Sequence, residues 1–400
     1  MFDTLKSQVR RIQNWPGTTP VPSLPPSDRP HLQPTKEACD QCRGTAVAPS
    51  ATLEPGAAPR PQLLNLLCAD ACTYLHAQGV IIHGGGGDEA VLLQQNVPLR
   101  SGYRLRRDRR LYLRVATHAG KTNPDKSNNE DFVLGWLPRS GQKNATVKLA
   151  VAVADGVSSC LYPEWAAEAA CWRALCELVR NAPAPQASDV MPKDQAESLA
   201  VRSMDAVLAD LRVIRESLTT SASMYKPVGE FDSTWNYRLR QGKILQTTLM
   251  LAWVDLTDTL HIASVGDGGA LLRSTGKQYA NVEEAGELIM NCDPTTNDVR
   301  ALGPNSPAFS DLAPEQRRAW LHIASRDFRL PGRCLLFTDG VGRCFAQNPL
   351  ELFSFIEKRR KGQSEKSLPL RCLRDLAAPA NWPQRVEPDN LTLAIIYRAS

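Results

Sequence analysis

The feature that most constrains the fold is a series of apolar, β-branched runs that starts near residue 111 and recurs to the end of the chain. Runs of this composition predict buried strands. They cover Tyr112 to Thr117, Phe132 to Leu137, Val147 to Ala154, Leu245 to Val254, Leu260 to Leu272, Cys334 to Thr338 and Leu391 to Tyr397.

Helical spacing of leucine, valine and alanine occurs between and after these runs. It predicts one helical pair over Glu164 to Arg180 and Gln195 to Leu218, and a second over Leu350 to Arg359 and Ser367 to Leu376. Strands on both sides of a helical pair indicate an α+β layered fold, with two sheets and helices outside them.

The chain has 400 residues, of which 42% are hydrophobic, enough for one large domain and an appendage. Residues 1–60 are rich in proline and predict a flexible N-terminal region. Residues 61–105 predict a small helical or irregular segment, because Pro61 to Gln78 has helical spacing and a glycine run follows. The main domain is predicted over residues 106–400.

Charge and cysteine content exclude several classes of protein. The net charge of +5 is spread along the chain, apart from the run Arg104 to Arg110, so we expect no nucleic-acid partner. The 11 cysteines are odd in number and several lie in apolar stretches, as in a reduced cytoplasmic protein. No apolar stretch reaches the roughly 18 residues of a membrane span, so we expect no membrane association.

Acidic residues stand where the predicted strands begin or end. A carboxylate at the mouth of a buried strand is costly to desolvate unless a cation or hydrogen-bond donors compensate it. Any single Asp-Gly or Asp-Asn pair could be present only because these residues favour turns. The recurrence of acidic residues at several strand ends indicates a shared metal site. The set comprises Glu130 and Asp131 before one strand, Asp155 with Gly156 after the next, Asp267 in a turn, Asp339 with Gly340, and Asp389 with Asn390.

Oxygen ligands without histidine or cysteine nearby select hard cations such as Mg²⁺ or Mn²⁺. Two such ions can activate water between them and clamp the oxygens of an in-line displacement. The acidic set therefore predicts phosphate-ester hydrolysis.

Ordered blocks along the chain resemble the motif series of the type 2C metal-dependent protein phosphatases. The blocks are KSNNED, VAVADGVSS, QTTLMLAWVD, HIASVGDGGALLR, VRALG, CLLFTDGVG and PDNLTLAIIY, and they span Leu111 to Tyr397. The resemblance implies a four-layer α-β-β-α sandwich of two antiparallel sheets flanked by helices. It also implies a flap around residues 274–330 that selects the substrate.

The resemblance further implies a serine/threonine phosphatase in which a hydroxide bridging two Mg²⁺ or Mn²⁺ ions attacks phosphorus directly. Asp155 would bind both metals, the Gly156 carbonyl would bind one, and Asp339 and Asp389 would complete the pair. Glu130 and Asp131 would hold metal-bound waters or act as ligands themselves.

Three positions depart from the family pattern. Lys126 stands where an arginine usually grips the substrate phosphate, and a lysine lacks the two-pronged guanidinium. Arg343 stands where an aspartate would hold a third metal together with Asp267, so we expect Arg343 to pair with Asp267 in place of that ion. Val157 replaces a histidine found in eukaryotic members.

The N-terminal region leaves alternatives open. Cys39, Cys42, Cys68 and Cys72 could supply four thiolates to Zn²⁺, but the second pair has the spacing of packed helical residues, which favours unligated thiols. The expected partner is a phosphoserine or phosphothreonine protein, and the N-terminal region is a candidate docking segment for a cognate kinase or the target of that kinase. An alternative function is a catalytically silent module that binds a phosphoprotein.

Overall fold

Two six-stranded antiparallel sheets form the centre of the protein in a computed structural model. The structure describes residues 62–85, 91–94, 111–118, 129–139, 145–183, 191–220, 232–274, 286–290, 300–360, 368–378 and 389–398. Among these residues, every pairing between neighbouring strands is antiparallel.

The first sheet has the strand order β1-β4-β5-β6-β7-β10. Its strands are β1 (Gly79–Gly85), β4 (Asp131–Pro138), β5 (Leu149–Asp155), β6 (Leu249–Val254), β7 (Thr259–Val265) and β10 (His322–Asp327). The second sheet has the order β2-β3-β12-β11-β8-β9. Its strands are β2 (Val91–Gln94), β3 (Leu111–His118), β8 (Gly269–Ser274), β9 (Gly286–Met290), β11 (Gly332–Phe337) and β12 (Leu391–Arg398).

The sheets pack face to face over one apolar core. Leu149, Val151 and Val153 of β5 point into this core, where they meet Leu336 of β11 and Ile396 of β12. Because side chains alternate along a strand, the alanines between them on β5 face the opposite side of the sheet. That side is covered by helices, so the strand is buried on both faces and its sequence is a continuous apolar run.

Helices cover the outer faces of both sheets. The long helices are α1 (Gln62–Gln78), α2 (Pro163–Asn181), α3 (Lys193–Thr220), α7 (Glu351–Arg360) and α8 (Leu368–Ala377), and the shorter ones are α4 (Asp232–Arg240), α5 (Pro314–Arg318) and α6 (Asp339–Arg343). Helix α2 packs on β4 and β5, and α8 packs on β3 and β12. This arrangement confirms the predicted α+β sandwich of four layers. None of the helices in these ranges has the length and apolarity needed to cross a membrane.

The segment before residue 106 contributes directly to the sandwich. Strand β1 pairs with β4 over its whole length, and the indole Nε1 of Trp136 donates a hydrogen bond of 3.1 Å to the Leu75 carbonyl of α1. Leu64 and Leu75 are fully buried. The sequence predicts residues 61–105 as a separate small segment, because helical spacing over Pro61 to Gln78 is followed there by a glycine run. Residues 1–60 lie outside the described residues.

The edges of the sheets also differ from the sequence expectation. The run over Leu260 to Leu272 forms two strands joined by the predicted turn at Asp267, whereas the sequence does not predict β10, HIASRD. Among the described residues, β9 and β10 have a strand neighbour on one side only, and such edge strands need no continuous apolar run. Both lie within the segment 274–330 assigned to a flap, so part of that segment extends the two sheets.

Candidate metal centre

Neighbouring strand ends bring the acidic residues together in two pairs, one from each sheet. Asp131 begins β4 and lies opposite Asp155, the last residue of β5. In the second sheet, Asp339 follows β11 and Asp389 precedes β12, which is the strand paired with β11. Antiparallel pairing therefore places each pair at one end of its sheet.

Hydrogen bonds between the sheets join the two pairs into one site. Thr338 Oγ1 donates to Asp131 Oδ2 at 3.0 Å, and the Glu130 amide donates to Asn390 Oδ1 at 3.0 Å. Thr338 Oγ1 also accepts a hydrogen bond of 3.1 Å from the Thr392 amide. These polar contacts fix the relative position of the sheet ends that carry the carboxylates.

Burial and mutual repulsion raise the pKa values of the central carboxyls. Burial raises the pKa of Asp131 to about 7, and the charge of Asp389 adds to this, while hydrogen bonds from neighbouring side chains oppose it. The pKa of Asp155 lies well above its usual range because of burial and the nearby charges of Asp131 and Asp339. The pKa of Asp339 is also raised, chiefly by burial. Carboxyls that raise one another's pKa in this way are stabilised by a shared cation.

Two carboxylate oxygens at this site are buried without a hydrogen-bond partner among the described residues. They are Asp131 Oδ1 and Asp339 Oδ1, on residues that are 1% and 5% exposed overall. An unsatisfied buried oxygen is costly, and a cation would satisfy it. The donors are all oxygens, so the residues fit Mg²⁺ or Mn²⁺.

The two glycines that follow the aspartates are required by close packing. A Cβ atom on Gly156 would lie 2.6 Å from the Pro163 carbonyl at the start of α2, and one on Gly340 would lie 2.1 Å from the Asn390 carbonyl oxygen. Neither backbone group can move aside like a flexible side chain. The Asp-Gly pairs are therefore not simple turn sequences, since Gly156 lets the end of β5 approach α2 and Gly340 lets the ends of β11 and β12 approach one another.

The remaining predicted residues surround this centre. Glu130 accepts a hydrogen bond from Ser158 Oγ, and the backbone carbonyl of Asp155 accepts one of 2.8 Å from Thr247 Oγ1. Asp267 lies in the turn between β7 and β8, and burial together with the charge of Asp339 raises its pKa to about 6. Lys126 lies outside the described residues.

Arg343 contacts two carboxylates that the sequence analysis did not assign to it. Its guanidinium forms ion pairs with Asp339 and with Asp389, and the Nη1–Oδ2 distance to Asp389 is 3.1 Å. The charge of Arg343 also lowers the pKa of Asp267, the partner expected from the sequence. Within the described residues, no group of three or more acidic, histidine or cysteine side chains is already arranged to hold a metal ion.

The hydrogen bonds of Thr338, Asn390 and Ser158 at this site are not predicted by the sequence. The available signal is their position, since Thr338 and Asn390 stand next to a predicted ligand and Ser158 stands two residues after Gly156. Of the four cysteines considered as zinc ligands, Cys68 and Cys72 are buried on α1. Cys39 and Cys42 lie outside the described residues. Burial of Cys68 and Cys72 agrees with thiols that pack in the core.

Solved structures of similar fold come from several organisms. A regulatory component of a type VI secretion system, PppA of Pseudomonas aeruginosa, is 14% identical, with 72% of this chain and 98% of that chain covered and a TM-score of 0.43. The serine/threonine phosphatase Stp1 from Staphylococcus aureus is 15% identical over 77% of this chain and 99% of that one, with a TM-score of 0.45. The Mycobacterium tuberculosis phosphatase PstP/Ppp is 17% identical over 72% and 98%, with a TM-score of 0.41.

A comparison with curated proteins gives no match. The sequence profile of the family described as protein phosphatase 2C matches residues 125–369, which is more than half of the 400 residues. This range contains the strand-end carboxylates of Asp131, Asp155 and Asp339. The chain belongs to the protein phosphatase 2C family.

Proposed function

We propose that this protein is a serine/threonine phosphatase that depends on two Mg²⁺ or Mn²⁺ ions. The observation that carries the proposal is the meeting of two carboxylate pairs, one from each sheet, with buried oxygens of Asp131 and Asp339 left unsatisfied. When bound, divalent cations activate water and neutralise the charge of the phosphoryl group.

We assign each residue of the site a role in binding metal, positioning water or holding the other groups in place. Asp155, Asp339 and Asp389 would hold the ions together with the Gly156 carbonyl, and Glu130, oriented by Ser158, would position water. Thr338 and Asn390 keep these groups in register by their hydrogen bonds between the sheets. Asp267 adds negative charge beside Asp339.

The direct test is hydrolysis of para-nitrophenyl phosphate by the purified full-length protein with added Mn²⁺. We expect turnover that a chelator removes and that falls by roughly a hundredfold or more in Asp155→Asn and in Asp339→Asn. Asp311→Asn is the matched control, because Asp311 is an exposed aspartate outside the acidic set. Turnover that survives in both site variants would overturn the proposal.

Lys126 is proposed to bind the substrate phosphate as a point charge. Lys126→Gln should then raise KM for a phosphopeptide more than it lowers kcat, and Lys126→Arg should restore binding. An unchanged KM in Lys126→Gln would remove this role.

The proposed substrates are phosphoserine and phosphothreonine proteins in the cytoplasm, among them a cognate kinase or its target. Phosphoserine, phosphothreonine and phosphotyrosine peptides of one sequence would test the class. We expect turnover of the first two, and a preference for phosphotyrosine would contradict the proposal.

A second candidate function is binding of a phosphoprotein without hydrolysis. The bridge from Arg343 to Asp339 and Asp389 favours it, because an arginine already pairs with two of the carboxylates and places a positive charge where a metal ion would bind. Absence of turnover in the folded wild-type protein with each of Mg²⁺, Mn²⁺ and Ca²⁺ would support this function over the first.

A further inference from the structure

Arg343 reaches the carboxylates because of the short helix on which it lies. Helix α6 begins at Asp339 and ends at Arg343, so the two residues are separated by one turn. Side chains on a helix lean toward its N-terminus, which directs Arg343 back over Asp339. Asp389 stands beside Asp339 because β12 pairs with β11. One guanidinium therefore spans the carboxylates contributed by two adjacent strand ends.

The bridge uses specific oxygens. Arg343 pairs with Oδ2 of Asp339 and with Oδ2 of Asp389, whereas Oδ1 of Asp339 has no hydrogen-bond partner among the described residues. Asp389 Oδ1 accepts a hydrogen bond of 2.9 Å from the Asn390 amide. Arg343 thus satisfies one side of each carboxylate and leaves the inner oxygen of Asp339 unsatisfied.

The Arg343 side chain is more exposed to solvent than the two carboxylates with which it pairs. The Arg343 side chain is 35% exposed, while those of Asp339 and Asp389 are 6% and 13% exposed. The guanidinium is therefore the most exposed of the three groups and lies on the solvent side of the two carboxylates. The aspartates are fixed at the ends of β11 and β12.

We propose that Arg343 is an intramolecular cation that competes with divalent metal for Asp339 and Asp389, and so sets the metal affinity of this centre. This inference rests on the proposed function. A divalent ion that takes both carboxylates meets a positive charge already paired with them, and the repulsion between the two weakens its binding. Metal loading then requires the guanidinium to release at least Asp389, the partner at 3.1 Å.

The test measures metal binding and does not depend on catalysis. Isothermal titration with Mn²⁺ on the full-length chain would compare the wild type with Arg343→Gln and Arg343→Lys. We expect Arg343→Gln to bind Mn²⁺ at least about tenfold more tightly than the wild type. Arg343→Lys should lie in between, because a lysine keeps the positive charge but cannot donate to two carboxylates with the fixed geometry of a guanidinium. Arg329→Gln is the matched control, because Arg329 pairs with exposed Asp327 and not with the acidic set.

A second measurement separates competition from simple loss of structure. In chelator, Arg343→Gln should have a lower Tm than the wild type, because Asp339 loses its counter-charge; with saturating Mn²⁺ it should gain more than the wild type does. Equal or weaker Mn²⁺ binding by folded Arg343→Gln would overturn this inference while leaving the proposed function intact. If neither protein binds Mn²⁺, the proposed function fails, and the inference fails with it.

Discussion

Asp131 and Asp155 face each other at the last paired position of the β4–β5 ladder, within one sheet. Two acidic side chains directly opposite on neighbouring strands are destabilising unless a positive charge lies between them. Sequence selection for folding alone would not place them there. The pair is therefore a point of reduced stability in the metal-free fold, located at the proposed metal centre.

Removal of one charge from this pair should stabilise the metal-free protein. In chelator at pH 7.5, we expect Asp131→Asn to raise the free energy of unfolding by about 1–3 kcal/mol, because the amide keeps an acceptor for Thr338 without the charge. Urea unfolding measures this change. Asp311→Asn should stay within about 0.5 kcal/mol of the wild type. A destabilised Asp131→Asn would show that repulsion is not the dominant effect.

Loss of the hydroxyl of Thr338 should weaken the connection between the sheets. Thr338→Val keeps the side-chain shape but removes the donor to Asp131 and the acceptor for the Thr392 amide. We expect the free energy of unfolding to fall by about 1–3 kcal/mol, because buried groups lose their partners. The exposed Thr219 at the end of α3 provides the control Thr219→Val, which should change little. Equal effects of the two variants would contradict the role of Thr338.

A methyl group at residue 340 should displace Asp389. The Cβ atom of Gly340→Ala would meet the Asn390 carbonyl oxygen at 2.1 Å and Asp389 Cβ at 3.2 Å. We expect a loss of about 1–3 kcal/mol in stability from this overpacking, together with Mn²⁺ binding at least about tenfold weaker. Thermal unfolding and titration calorimetry measure the two effects. Wild-type Mn²⁺ affinity in this variant would show that the approach of these strand ends does not position Asp389.

Asp210 on α3 should make stability depend on pH outside the metal centre. Burial raises its pKa to about 6, and the guanidinium of Arg173, 3.8 Å away, opposes this shift. The folded state therefore holds a proton that the unfolded chain has lost between about pH 4 and pH 6, so this contribution to stability falls as pH rises through that window.

The variant Asp210→Asn does not titrate and should escape this loss. Its free energy of unfolding relative to the wild type should increase by about 1–3 kcal/mol from pH 4 to about pH 6 and then level off. Urea titrations at four pH values between 4 and 7 would measure it. A difference that does not change with pH would show that Asp210 ionises normally.

The interior of the fold could be predicted from the sequence more completely than its edges. Strand β5 and helix α2 are buried on most sides, so continuous apolar runs and helical spacing mark them, and the structure has them within two residues of the predicted bounds. Strand β10 lies at an edge, exposes part of its surface and has a polar sequence, so no periodic pattern identifies it.

The site could be predicted in part for a similar reason. Acidic residues at strand ends stand out because carboxylates are rare beside apolar runs, and this signal selects Asp131, Asp155, Asp339 and Asp389, which the fold places at neighbouring strand ends. The choice of partner for Arg343 depended on the direction of its side chain along α6 and on which strand lies next to β11. Those relationships are set by the tertiary fold, whereas sequence spacing predicts only Asp267 as a partner, whose pKa the charge of Arg343 does lower.

The hydrogen bonds from Thr338 to Asp131 and from Glu130 to Asn390 have a kinetic consequence. A folding intermediate in which only one sheet has formed contains at most two of the four central carboxylates, so it cannot assemble the centre. Contacts between residues about 200 positions apart in sequence form slowly, because a long loop must close first. During refolding, the ability to bind metal should therefore appear only when the two sheets dock, later than the signal from either sheet alone.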